Sequence, residues 1–258
     1  MAVADPLLLA IVLVVAALLG LVVGSALDGV VSRYQSADLR APDHQTTGAP
    51  AGPVRHGTTG GAQLLVRAGT ALFFALVALQ FAGRGAPGQP QASADLWALP
   101  AFLFLAAVSV ALAAIDIGVR RLPDRIVLPS IVVGAVLLGI AGAGVGDWVP
   151  LVRAVAGGAA LFAFYVALVL AYPRGMGFGD VKLAALLGLY LGWTGWDALV
   201  VGAAAAFLLG GVFTATLVLL RRAGRATTIP FGPWMLLGAW VGILLGRDIA
   251  AGYLALAG

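Results

Sequence analysis

Apolar residues in this chain come in long runs, with neither the alternation of a half-buried strand nor the stripe of a surface helix. Eight such runs lie at about 6–27, 63–82, 96–115, 126–143, 150–172, 181–192, 197–220 and 230–246, and the last can continue towards Ala257. A helix crosses the hydrocarbon core with roughly 20 apolar residues, fewer when it is packed among others. All the runs approach that length except the sixth, which is short. Lipid offers backbone N–H and C=O groups no partners, so each run predicts a helix. The expected fold is therefore all-α, a polytopic membrane bundle of about eight transmembrane helices in a single domain over residues 1–258. The first run is too long for a signal-peptide core and lacks a basic leader, so it is expected to be a retained span. Small residues at Gly157, Gly158, Ala159 and Ala160, and from Ala203 to Ala206, are expected to let helices approach closely.

The segments between the runs set the orientation. Twelve of the fifteen basic residues fall in alternate connections: 32–67, 116–125, 172–182 and 221–229. Only Arg84, Arg153 and Arg247 lie elsewhere. The positive-inside bias predicts that these four segments face the cytoplasm and that both termini lie outside. One polar piece, about 32–62, is rich in Pro, Gly, Thr and Ala and lacks the apolar residues to order itself, so it is expected to be poorly ordered.

Composition agrees and narrows the chemistry. The chain is 62% apolar and 10% charged, against about a quarter charged in soluble domains, so lipid is the expected solvent. Cysteine is absent, which excludes disulfides, thiol catalysis and cysteine-ligated zinc. His44 and His56, with only Asp38 and Asp43 near them, make an incomplete metal set, and no metal site is expected. A net charge of +4 without a clustered basic face predicts no nucleic-acid partner.

All eleven acidic residues are aspartates. Acidic groups beside membrane helices are costly and are functional candidates by default. Asp28, Asp116, Asp124 and Asp180 are predicted at cytoplasmic helix ends. Asp116 closes the third run, where a carboxylate opposes the helix dipole. Asp180 follows Gly175-Met176-Gly177-Phe178-Gly179 and opens the sixth run, where the dipole favours it. The alternate glycines predict an extended strip that another backbone can approach. Two aspartates reaching one membrane face suit peptide hydrolysis by activated water, in which one takes the water's proton and the other polarises the carbonyl. The termini predict Asp180 as the ionised partner and Asp116 as the proton holder. Asp28 is expected to be a tolerated surface residue rather than a substrate contact, the other reading open to it, and Asp124 to be structural, as a cap on the fourth helix, or a substrate contact.

These residues resemble the type IV prepilin peptidases, membrane aspartyl proteases of the Gly-x-Gly-Asp class. Gly175 to Leu183 is similar to the signature around that family's second catalytic aspartate. Ile115-Asp116-Ile117 with Leu122-Pro123-Asp124 is similar to the first. Ile229-Pro230-Phe231-Gly232-Pro233 resembles an element opening the last helix, and Gly24-Ser25-Ala26-Leu27-Asp28 with Arg33 resembles one closing the first. The resemblance implies an aspartic endopeptidase at the cytoplasmic face of the inner membrane, with Asp116 and Asp180 catalytic. It implies substrate contacts at Gly175, Gly177, Gly179, Asp124 and Lys182, and precursors of pilins or pseudopilins with basic leaders as partners. Many such enzymes also methylate the new N-terminus from S-adenosylmethionine and carry two Cys-x-x-Cys pairs in the first loop. Those pairs are missing here, so the cofactor is expected only if methylation is retained. A proton- or ion-coupled transporter using the same aspartates, a non-catalytic pilus-assembly scaffold, and a related protease with other clients are the alternatives.

Overall fold

A computed structural model describes residues 6–38, 60–82, 90–120, 122–172, 176–220 and 230–257. Among them are eight helices and no strand: α1 (Pro6–Asp38), α2 (Gly60–Ala82), α3 (Pro90–Val119), α4 (Asp124–Val145), α5 (Val149–Ala171), α6 (Phe178–Thr194), α7 (Trp196–Leu219) and α8 (Gly232–Ala257). Each covers one of the apolar runs. Five of them, α3, α4, α5, α7 and α8, are long and apolar enough to cross a membrane, and the chain is a multi-pass membrane protein. Large aliphatic side chains stay exposed around the bundle, such as Val132, Val152, Leu208 and Val212, as lipid contact requires.

Two differences from the expected segments stand out. α1 continues past its apolar run to Asp38, because no proline interrupts the chain before Pro42. α1 and α2 thus claim both ends of the stretch expected to be poorly ordered. Its remainder, 39–59, with Asp43, His44 and His56, lies outside the described residues.

The short α6 is the axis of the site-bearing half. It packs on α4, α5, α7 and α8, and its side chains from Val181 to Gly192 are almost all buried. A helix enclosed by others does not have to match the bilayer, so about 25 Å suffices. α3 packs on α1, α2, α4 and α8. Helices α4 and α8 therefore join the two halves. Two polar staples hold α8 in place: Trp240 Nε1 donates to Ser109 Oγ of α3 at 3.1 Å in a buried bond, and Gln80 Nε2 of α2 donates to the Leu244 carbonyl at 3.0 Å in a part-buried one.

Close approach of α5 and α6 comes from Gly157 and Gly158, which are buried, whereas Ala159 and Ala160 are exposed. A Cβ on Gly157 would stand 2.7 Å from the Gly188 carbonyl oxygen. The far end of α6 is held by Arg153 of α5, whose Nε and Nη2 donate to the carbonyls of Gly192 and Trp193, both at 2.6 Å. A cation at a helix C-terminus satisfies orphan carbonyls and complements the dipole. Arg153→Met keeps the stem but leaves both carbonyls unmet in a partly buried setting. It is expected to cost about 2 kcal/mol, read as a lower melting temperature in detergent.

Candidate active site

Asp116 lies in the last turn of α3, flanked by buried Ile115 and exposed Ile117. The helix ends just beyond it. Arg120 takes a left-handed φ of 53° and donates its N–H to the Asp116 carbonyl at 2.8 Å. Pro123 then sets the start of α4. The Asp116 side chain is only 4% exposed, and its Oδ2 accepts the backbone N–H of Gly232 at 3.1 Å. Gly232 is the first residue of α8, so this bond satisfies one of the orphan donors at a helix N-terminus. A Cβ on Gly232 would fall 2.6 Å from the same oxygen. Only glycine lets the backbone come this close.

Asp180 is the third residue of α6. Its Oδ2 accepts the N–H of Gly177 at 3.3 Å, while its own N–H donates to the Gly177 carbonyl at 3.1 Å. This reciprocal pair closes the first turn. It also shortens the expected extended strip. Gly177 is extended, but Phe178 and Gly179 are already helical, and Gly175 lies outside the described residues. The missing side chain at Gly179 serves Leu122, because a Cβ there would stand 3.0 Å from Leu122 Cβ. Leu122 also lies 3.5 Å from the place of a Cβ on Gly232. One apolar side chain thus wedges the start of α6 against the start of α8.

The two aspartates, 64 positions apart in the chain, stand at one end of the bundle: Gly232, whose N–H Asp116 accepts, and Gly179, next to Asp180, both rest on Leu122. The predicted contrast between them is removed by the fold. Asp116 does end α3, but its carboxylate rests on the N-terminus of α8, just as Asp180 sits in the first turn of α6. Each therefore has a helix N-terminus and one backbone N–H. Helix dipoles do not decide which one holds a proton, and a shared proton belongs to the pair.

Around this pair, Lys182 Nζ meets Asp124 Oδ2 at 2.6 Å, with the lysine 23% and the aspartate 56% exposed. Asp124 makes no side-chain cap on α4. It clips the start of α4 to α6 instead. Lys182 also stands 5.9 Å over the Phe178 ring. Asp28 lies on α1, and its side chain is outside those described. Among the described residues no three His or Asp side chains gather as a metal set.

Gly232 was visible in sequence only as part of a Pro-Phe-Gly-Pro element, and Leu122 only as the neighbour of Pro123. Neither carries a reactive group, and nothing local announces that Gly232 meets Asp116 or that Leu122 lies between Gly179 and Gly232.

Comparison with known proteins follows the same residues. The sequence profile of the type IV leader peptidase family matches residues 103–219, which include both aspartates. The chain is 37% identical over 164 residues to a prepilin leader peptidase/N-methyltransferase of Aeromonas salmonicida (strain A449), covering 62% of this chain and 54% of the relative. It is 36% identical over 184 residues to that of Aeromonas hydrophila, covering 71% and 59%. For Pseudomonas aeruginosa the figures are 34% over 165 residues, 63% and 55%. The matches thus span little more than half the length of these curated relatives. No solved structure gives a significant match. The 103–219 segment, which carries Asp116 and Asp180, is thus similar to the type IV leader peptidase family.

Proposed function

We propose that this protein is a membrane aspartic endopeptidase that removes the leader from pilin-like precursors, with Asp116 and Asp180 as its catalytic pair. What supports this reading is that the two carboxylates stand at one end of the bundle, where Leu122 lies between Gly232 and Gly179 and each carboxylate accepts a backbone N–H. With one proton between them, the ionised partner takes a proton from water as its oxygen attacks the scissile carbonyl carbon. The protonated partner gives its proton to the carbonyl oxygen. The tetrahedral diol then breaks its C–N bond as the carboxyl proton passes to the leaving nitrogen, while the other carboxylate takes a proton back from a diol hydroxyl, so the pair ends with one proton again.

The site end of the bundle is the cytoplasmic one in this reading. The chain connections at that end, after α1, α3, α5 and α7, are those that hold twelve of the fifteen basic residues. The membrane is accordingly the bacterial inner membrane. A precursor would keep its apolar stem in the bilayer and present the peptide before it to the pair. Gly177, extended just before the first turn of α6, would meet that peptide at the edge of the site.

Asp124 and Lys182 form the rim, and we take them as substrate contacts. A basic leader would exchange with Lys182 on the exposed Asp124 carboxylate. Asp124→Asn is expected to raise KM several-fold with kcat unchanged, and to change stability by less than about 1 kcal/mol, as for an exposed ion pair. Cleavage kinetics at two leader charges would show this, because the KM effect should shrink for the less basic leader.

Co-expression with a pilin-like precursor, followed by a gel shift and N-terminal sequencing, tests the proposal. The wild-type chain should yield a product starting just before the apolar stem, and the Asp116→Asn/Asp180→Asn double variant should yield none. Cleavage that survives in the double variant would refute the assignment. The methyltransferase in the relatives' names is not carried over to this chain, and the same sequencing reads whether the new N-terminus is methylated.

A further inference from the structure

The close packing of α5 against α6 fixes what stands opposite Asp180. The helices run antiparallel, with Gly157 against Gly188 and Arg153 against Gly192 and Trp193. Eight residues further along α5 is Tyr165, and eight residues back along α6 is Asp180. Their common register places the tyrosine level with the aspartate. Burial and contacts agree. Tyr165 is 2% exposed and lines a small apolar cleft with Leu161, Ala184 and Leu187. Ala184 is one turn along α6 from Asp180 on the same face.

The ring itself is immobilised by aromatics. It stacks on Phe207 with centroids 5.7 Å apart and meets Phe164 edge-on at 5.6 Å. Phe207 in turn packs on Phe231, the residue before Gly232, at 5.4 Å. A line of rings therefore runs from the neighbourhood of Asp180 to the backbone that holds Asp116. Within this apolar surround the hydroxyl is the one polar atom of the side chain, and its one means of bonding to a carboxylate.

We propose that Tyr165 is a positioning residue for Asp180, its phenol O–H donating to one carboxylate oxygen during turnover so that the carboxylate is held for the attacking water. Gly177 N–H holds the carboxylate from the α6 side, and Tyr165 holds it from α5. The proposal rests on Asp180 being one of the catalytic pair.

The test uses the full chain in lipid, with Tyr165→Phe, Tyr165→Leu and Asp180→Asn measured side by side on a pilin-like precursor. Tyr165→Phe keeps the ring stack and removes only the O–H. It is expected to lower kcat at least about ten-fold, the effect of losing one bond to a charged group, with KM and melting temperature unchanged. Tyr165→Leu should add a fall in melting temperature. Tyr165→Phe within two-fold of wild type, or a kcat loss that comes only with a lower melting temperature, overturns the proposal and leaves Tyr165 as packing. An active Asp180→Asn overturns instead the reading beneath it, whatever Tyr165→Phe does.

Discussion

Asp116→Asn and Asp180→Asn are each expected to lower cleavage by about a thousand-fold or more, and the double variant is expected to be no worse than either. Asparagine keeps the shape of the side chain and can still accept the Gly232 or Gly177 N–H, so the helix ends should stay as they are. What it loses is the ability to take or give a proton. In the proposed mechanism the two groups handle one proton between them, so removing either would disable both steps, and the second substitution would find nothing left to damage. Single-turnover cleavage by protein reconstituted in lipid would measure this, with melting temperature as the check on folding. Independent, multiplying losses would mean that the carboxylates do not work as a unit.

Gly232→Ala should come next in size, although the residue has no side chain and no chemistry. The added Cβ would lie 2.6 Å from Asp116 Oδ2 and 3.2 Å from its Cγ, with Leu122 Cδ1 at 3.5 Å. The carboxylate is buried and cannot yield without giving up the Gly232 N–H. A displacement of about 1 Å at a reacting group costs on the order of a hundred-fold in rate. The loss should fall on kcat, with KM little changed. Gly211→Ala on α7, where a Cβ meets nothing within 4 Å, is the matched control and should be neutral. Gly179→Ala should fall between the two, since its Cβ would press on Leu122 Cβ at 3.0 Å and shift the wedge rather than the carboxylate.

How the site is built explains why these substitutions differ. Asp116 and Asp180 were legible because each interrupts the boundary of an apolar run, and charge there is costly enough to need a reason. Their partners were not legible in the same way. Lys182 and Asp124 are ordinary residues near helix starts, and only the packing of α4 on α6 makes them a pair. The proton assignment read from helix ends failed for a related reason. It weighed α3 alone, whereas the α8 N-terminus, 116 positions further along, is what touches the Asp116 carboxylate.

Span by span, the linear chain determined the helices, the membrane and the acidic pair. Lipid acts on each segment locally, through the length of an apolar run and the backbone bonds it must close for itself. The fold alone decided what surrounds the pair: Gly232 under Asp116, Leu122 between two helix starts, and Tyr165 level with Asp180. Those meetings arise from which helices pack together and in what register. That depends on complementary surfaces far apart in sequence, so no local pattern of residues records it.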